Sequence, residues 1–420
     1  MVLDNSSANT SSANTAPQQF DLLIVGGGLA GAALALAMSL NSTSTPLRIA
    51  LIEGGPLQTW PELEESVCDY DARVSALTDA SRQLLDEIGV WPLVAAQRVC
   101  GYRDMDVWDA EGTGHIHFSA EEVQRPALGH IVENRLVLAA MHQCLQGCGV
   151  SLMFGCKVAS FQRSHDGPRL SLADGRVLTA PLVAAADGAR SKIREWAGFD
   201  TREWDYHHHA IACTVETSLP HQATAWQRFL PEGPLAFLPL ADANAEQRYC
   251  SIVWSAKPEL NQQLMAMNDQ DFCHALGRAF EHRLGDVMAC GKRVSFPLRQ
   301  RHAPEYVQDG VVLLGDAAHS IHPLAGQGIN LGFADVKVLA EELKRGQARQ
   351  LTLSDASVLG RYQRRRKGDN LAMMAAMEGF QHLFESNAMP LRLLRNVGMS
   401  WLNGRQPIKR ELIARAMGLS

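Results

Sequence analysis

The hydrophobic pattern begins near residue 20. Residues 21–25 (DLLIV) are a short continuous apolar run, which predicts a strand buried on both faces of a parallel sheet. A glycine-rich turn follows at 26–31, and then AALALAMSL, whose alanine and leucine content predicts a helix. Residues 47–52 (LRIALI) predict a second strand, closing a strand–helix–strand unit of about thirty residues. Residues 74–88 read as another helix, with Leu77, Leu84, Leu85 and Ile88 at helical spacing.

The pattern changes from about 202 to 296. AIACTVET, LAFLPL and YCSIVWS carry aromatic and β-branched alternation, separated by polar turns such as ADANAEQ, and predict an antiparallel sheet that covers the first unit. Residues 311–314 (VVLL) restore the buried parallel-strand pattern, and from Gly332 onward the period is helical. The expected fold is α/β: a Rossmann-like dinucleotide domain at 20–201 and 297–345, an inserted, mainly antiparallel sheet domain at 202–296, and a C-terminal helical segment at 346–420.

Composition narrows the class. Apolar residues make up 46% and charged residues 20%, ordinary for a globular protein, and 420 residues allow two or three packed domains. A net charge of -6 argues against a general nucleic-acid binder. The longest membrane candidate, 29–40, is too short to span a bilayer. Residues 1–19, with a tandem SSANT and no apolar core, read as a disordered polar leader and not a secretory signal, which implies a cytoplasmic chain. Cys68, Cys100, Cys144, Cys148, Cys156, Cys213, Cys250, Cys273 and Cys290 form no CxxC pair, so in a reducing compartment they read as small buried hydrophobes.

Gly26, Gly28 and Gly31 stand as GxGxxG between the first strand and its helix. Gly26 permits the turn, Gly28 lets the backbone approach a pyrophosphate, and Gly31 lets helix and strand pack closely. The helix start then offers free N–H groups to phosphate. Glu53 ends the next strand, where a carboxylate accepts hydrogen bonds from ribose hydroxyls, so the loop is read as a dinucleotide site. Two further strand-end turns carry aspartate. Asp187–Gly188 follows PLVAAA, and Gly315–Asp316 follows VVLL and leads into HPLAGQGINLG. The second favours FAD over NAD: a carboxylate there can hold a ribityl hydroxyl, and a helix starting in GQGIN aims N–H groups at the flavin N1–C2=O region.

At these residues the chain resembles the flavoprotein aromatic hydroxylases of the p-hydroxybenzoate hydroxylase type, over nearly all of 20–419. ARVSALTDAS (72–81), GVW (89–91), MDVWD (105–109), LGHIVEN (128–134), WDYHHHA (204–210), CSIVWS (250–255) and GDAAHSIHPLAGQGINLGF (315–333) resemble the ubiquinone-biosynthesis hydroxylases, most closely the branch that hydroxylates a prenylphenol ring at C5. The resemblance implies an FAD monooxygenase that is reduced by NAD(P)H, forms a flavin C4a-hydroperoxide with O2 and transfers one oxygen atom to the ring. It implies that Gly26, Gly28, Gly31 and Glu53 hold the ADP half, that Arg73 reaches the pyrophosphate, and that Asp316 binds ribitol and pyrophosphate. It places Gly326, Gly328, Ile329 and Asn330 around the isoalloxazine, counts Pro323 among the cofactor-binding residues, and puts Asn134 on the flavin side and Asp187 and Gly188 where FAD and NAD(P)H are both served. With no second GxGxxG, NAD(P)H would dock transiently on the FAD domain.

Residues 235–240 and 249–254 are candidates for an apolar wall over the flavin, and equally for an ordinary sandwich core. His207–His208–His209 suggests metal, but neighbouring strand residues point to opposite faces and no ligand set completes the site. His319 and His322 suit a cofactor contact or a structural role equally, and no catalytic acid or base is assigned. Residues 387–420 interleave Arg392, Arg395, Arg405, Lys409, Arg410 and Arg415 with apolar positions. They read as a solvated helix pair or as an amphipathic surface for the inner face of a membrane or a partner of the ubiquinone pathway.

Overall fold

The computed structural model describes residues 16–40, 46–64, 66–164, 167–242, 244–320, 328–385, 398, 401 and 403–418. Its centre is a six-stranded sheet in the order 307–308, 311–313, 182–185, 22–25, 49–53, 151–154. The last five of these strands run parallel to one another, and 307–308 pairs antiparallel with 311–313. Leu22, Leu23 and Ile24 are fully buried, as a strand covered on both faces requires. Each such side chain contributes roughly 1.5–3 kcal/mol by leaving water.

The helices are α1 (Leu29–Ser39), α2 (Asp79–Glu87), α3 (Trp91–Ala95), α4 (Asn134–Leu145), α5 (Lys192–Trp196), α6 (Pro258–Ala266), α7 (Asp269–Ala279), α8 (Gly328–Gln347), α9 (Ala356–Glu385) and α10 (Gln406–Ala416). α1 is buried on nearly every side because α4 and α8 pack against it as well as the sheet does. No described helix is long and apolar enough to cross a membrane.

Four expectations are corrected. Val74–Leu77 is a strand, and only Asp79–Glu87 is helical, because Thr78 ends the strand and accepts a hydrogen bond from Ser81 N–H as the helix cap. The leader ends earlier than residue 19: Gln18–Gln19 pair in parallel with Leu178–Thr179 in a four-stranded side sheet, and residues 1–15 lie outside the described region. The large sheet does not stop at 202–296. It recruits Asp104–Asp109 and His115–Ser119 from one side of the chain and Val294–His302 and His319–Ser320 from the other. Of the cysteines, only Cys213, Cys250, Cys273 and Cys290 are buried, while Cys68 is exposed and the rest are half-buried.

Alternation divides the large sheet cleanly. Leu235 and Phe237 pack with Ile252 and Trp254 against Leu264 of α6 and Phe272 of α7. Leu238, Leu240 and Tyr249 turn to the opposite face and meet Tyr70, Ala76 and Ile131. Ala76 and Ile131 belong to a small antiparallel sheet of 74–77, 129–133 and 99–102 that lies between the two large sheets. Half of the proposed wall is therefore helix-packed core, and only the other half faces the nucleotide-binding domain.

Candidate functional site

Three neighbouring parallel strands, 22–25, 182–185 and 311–313, end on the same edge of the central sheet. Gly26, Asp187 and Gly315 follow those ends, so the three turns found in the sequence converge where α/β sheets bind ligands. Gly26 takes φ +106°, and a Cβ there would lie 2.3 Å from Ala186 O. A Cβ at Gly31 would lie 1.9 Å from Gly26 O, so helix and turn touch through backbone alone. Gly28 differs: nothing lies within 4 Å of its Cβ position, and no side chain caps α1. Its open side and the free N–H groups behind it face outward.

Glu53 is placed as expected and has a further task. Its Oε2 accepts from Gly27 N–H at 2.6 Å and its Oε1 from Gly55 N–H at 2.7 Å. Each oxygen keeps acceptor capacity for a ribose hydroxyl. The opposite side of the loop is tied by His142, which the sequence did not single out. Its Nε2–H donates to Gly27 O at 2.8 Å, while Nδ1 accepts from Gln58 N–H at 2.9 Å. That pairing needs a neutral ring, and burial lowers its pKa accordingly. His142 sits on an apolar helix pattern with its partners far off in sequence, so no local signal marks it.

Asp187 Oδ2 accepts from Lys192 N–H at 2.8 Å and Ile193 N–H at 3.2 Å, at the start of α5. Its Oδ1 is buried without a hydrogen-bond partner, and burial raises its pKa. Gly188 beside it takes φ +80° with open space around its Cβ position. Arg194, also unmarked in the sequence, donates from Nη2 to Ala189 O at 3.0 Å and from Nη1 to Ala317 O at 2.9 Å, joining this turn to the Gly315–Asp316 turn.

The Asp316 side chain is open to solvent yet sunk among packed atoms. That desolvation, helped by Asp335 and opposed by His319, raises its pKa. Beneath it lies a buried polar network. Asp335 Oδ2 accepts from Gly315 N–H at 3.0 Å and His319 Nε2–H at 2.6 Å, while its Oδ1 accepts from Arg366 Nε–H at 2.7 Å. Asn370 ties Arg366 to the Tyr306 hydroxyl. Burial alone would raise the Asp335 pKa, but His319 and Arg366 outweigh it and hold it at about 2. His319 thus has a structural role, bracing the turn that carries Asp316.

The strand Val74–Leu77 gathers the two asparagines. Ser75 Oγ–H donates to Asn134 Oδ1 at 2.6 Å, and Asn134 N–H donates to Arg73 O at 3.1 Å. Asn330 Nδ2–H donates to Ala76 O at 2.8 Å, and its Oδ1 accepts from Thr78 N–H at 3.1 Å and Ser81 Oγ–H at 2.7 Å. The Asn330 side chain is therefore committed to fixing the start of α8, which leaves the main chain of Gly328, Ile329 and Asn330 for a ligand. Arg73 is exposed and makes no ion pair with a described residue. Pro323, Gly326 and His322 lie outside the described residues. At His207 the strand bulges with φ +54°, and among the described residues no group of three metal-ligating side chains is assembled.

These residues fit FAD. An uncapped helix start, an open glycine and an unpaired arginine suit a pyrophosphate. A partnerless carboxylate oxygen and an exposed Asp316 suit sugar and ribityl hydroxyls, and the start of α8 suits an electron-rich ring carbonyl.

The model of the FAD binding domain family matches residues 19–374. The 3-demethoxyubiquinol 3-hydroxylase of Escherichia coli is 38% identical over 96% of this chain and 99% of its own length. The ubiquinone hydroxylase UbiL of Rhodospirillum rubrum is 36% identical over 99% of this chain and 93% of its own. The human mitochondrial ubiquinone biosynthesis monooxygenase COQ6 is 32% identical over 94% of this chain and 92% of its own. Among solved structures, PqsL of Pseudomonas aeruginosa, a probable FAD-dependent monooxygenase, superposes with a TM-score of 0.73 at 21% identity over 91% of this chain and all of that one. p-Nitrophenol 4-monooxygenase PnpA of Pseudomonas putida superposes with a TM-score of 0.74 at 18% identity over 95% of this chain and 98% of that one. The α/β fold with mixed sheets and C-terminal helices is that of the FAD-binding monooxygenases, and the chain belongs to the family of flavin-dependent ubiquinone-biosynthesis hydroxylases.

Proposed function

We propose that this monooxygenase hydroxylates the ring of a prenylated phenol in ubiquinone biosynthesis, at C5, with NAD(P)H as reductant and O2 as oxygen source. The convergence of three strand-end turns on one edge of the sheet carries the reading, and the names of the relatives supply the substrate class. One oxygen atom of O2 enters the ring, the other leaves as water, and NAD(P)H is oxidised. Bound FAD supplies the redox chemistry that activates oxygen.

The chain's own residues bind, orient and exclude water. The start of α1, shaped by Gly26 and Gly31 and left open at Gly28, takes the pyrophosphate together with Arg73, and Glu53 takes the ribose. Asp316 takes the ribityl chain, and the main chain at Gly328–Asn330 offers N–H groups to a ring that gains negative charge on reduction. Asp187 and Gly188 serve FAD and the transient docking of NAD(P)H. Leu238, Leu240 and Tyr249, packed with Tyr70, Ala76 and Ile131, back the site with apolar side chains that keep water from the reacting atoms. The substrate's own hydroxyl activates its ring. We place the enzyme in the cytoplasm, peripheral to the inner membrane face and in contact with other proteins of the pathway.

A second reading rests on the Escherichia coli relative, whose name puts hydroxylation at C3 of demethoxyubiquinol and so favours a ring position other than C5. Mass spectrometry of quinone precursors in cells lacking this chain tests both. A precursor without oxygen at C5 is expected. A precursor already oxygenated at C5 but lacking a later hydroxyl would support the second reading, and normal quinone levels would refute both. The purified chain should also couple NAD(P)H oxidation to oxygen uptake when the phenol is present.

A further inference from the structure

The peptide between Gly27 and Gly28 has no side chain on either flank to resist rotation, so its orientation depends on what its two polar ends meet. The carbonyl end, Gly27 O, accepts from His142 Nε2–H at 2.8 Å inside the protein. The described peptides are all trans, and in a trans peptide the C=O and N–H point in opposite directions. The Gly28 N–H is therefore aimed away from His142, and it donates to no backbone group among the described residues. It stands at the head of the free N–H groups that begin α1.

The preceding peptide is held by its other end, where Gly27 N–H donates to Glu53 Oε2 at 2.6 Å. Glu53 and His142 thus fix two successive peptides of the turn, one by its N–H and one by its C=O. Packing leaves the turn no slack. A Cβ at Gly27 would lie 2.8 Å from Glu53 Cβ and 3.3 Å from the Phe154 ring. That ring also meets the His142 ring edge-on, with centroids 4.8 Å apart. His142 is held in turn by Gln58 N–H, which donates to Nδ1 at 2.9 Å. Trp60 Nε1–H donates to Gln143 Oε1 at 2.6 Å and ties the same segment to α4. Gln58 N–H only donates and Gly27 O only accepts, so this bridge needs the neutral ring, which acts by direction and adds no charge.

We propose that His142 is a positioning residue for the cofactor: by holding Gly27 O it aims the Gly28 N–H at the FAD pyrophosphate, a role that rests on the proposed seat of the pyrophosphate at the start of α1. A phosphate oxygen there receives a charge-assisted hydrogen bond from a donor already in place, where a free glycine peptide would have to be ordered first.

Two variants of the full chain separate aim from packing. His142→Gln carries an amide donor to about the place of Nε2 and keeps the bond to Gly27 O. His142→Asn carries an acceptor to about the place of Nδ1, so it keeps Gln58 but is too short for Gly27 O. Titrated after removal of FAD, His142→Gln should bind FAD and ADP within about two-fold of the unmodified chain. His142→Asn should bind both about ten-fold or more weakly. Adenosine, which has no phosphate, should bind all three chains alike. Equal FAD affinity in the two variants, or an equal loss for adenosine, would overturn the proposal. In the unmodified chain ADP should move the Gly28 amide resonance farther than adenosine does. An unmoved Gly28 amide would overturn it even if neither variant folds. An unmodified chain that binds neither FAD nor ADP would remove the pyrophosphate seat and the histidine's role together, whereas normal binding by every variant removes the role alone.

Discussion

Gly28 and Gly31 belong to one hexapeptide but answer to different constraints. Gly31 is crowded by protein, so Gly31→Ala should destabilise the fold by about 1–3 kcal/mol, read as a lower denaturant midpoint with or without FAD. Gly28 has φ -70° and open space, so Gly28→Ala should leave the apoprotein within about 0.5 kcal/mol of its parent. Its added methyl should instead weaken FAD binding, measured by flavin fluorescence quenching. Unchanged FAD affinity in Gly28→Ala would show that no ligand approaches there. His302 carries a pH signature: burial first, then His319, Lys367 and Arg202, lower its pKa to about 4. The unfolded chain, with histidine near about 6.5, then binds protons first as pH falls. Stability from the neutral ring is complete above about pH 6.5 and lost between there and about pH 4, and His142, shifted the same way, adds to the slope. Melting temperatures across that window should fall, and His302→Gln should flatten the fall.

Among the elements, the strand Val74–Leu77 shows how tertiary demand overrides local pattern. Its four residues continue a helical spacing into α2, yet pairing with 129–133 and anchoring of Asn134 and Asn330 hold it extended. α10 is held by Ile413, which packs with Ala120 and Leu128, and by a buried ion pair, Lys409 Nζ to Glu122 Oε1 at 2.6 Å, with Lys409 only 5% exposed. Glu122→Ala would leave that ammonium buried and unpaired, a loss of roughly 3–5 kcal/mol. Since α10 covers an edge and does not build the central sheet, the expected result is faster hydrogen exchange in 406–416 with little change in the strands 22–25 and 182–185. Uniform loss of protection would mean that α10 is integral to global stability.

For the whole molecule, the proposed FAD contacts come from distant parts of the chain: Gly28 and Glu53, Arg73 and Asn134, Asp187, Asp316 and Gly328. A ligand touching all of them binds only the folded state. At a free FAD concentration of about one hundred times Kd it should add roughly 2.7 kcal/mol to unfolding and shift the entire thermal transition upward. A shift of only one part of a biphasic transition would show that the large sheet does not share the cofactor's stabilisation. The same assembly accounts for the domain boundaries missed in the sequence. The strands 104–109 and 115–119 lie within a stretch of nucleotide-domain pattern but extend the other sheet, 104–109 pairing with 224–229 and 115–119 with 104–109.

Short-range chemistry was written in the chain itself. Continuous apolar runs dictate buried parallel strands, glycines that only a bare backbone satisfies mark the nucleotide turn, and aspartates at strand ends mark two more. Those features are legible because each depends on a few neighbouring residues. What the tertiary structure alone decided depends on residues far apart in sequence. It set which face of 235–240 meets the nucleotide domain, and it tied the Asn330 side chain to the strand 74–77 and the start of α2. It also enlisted His142, Arg194, Asp335 and Arg366 to brace turns they do not belong to. The physical reason is that buried polar groups must find partners wherever the packed chain supplies them, and no local pattern records which distant strand or helix that will be.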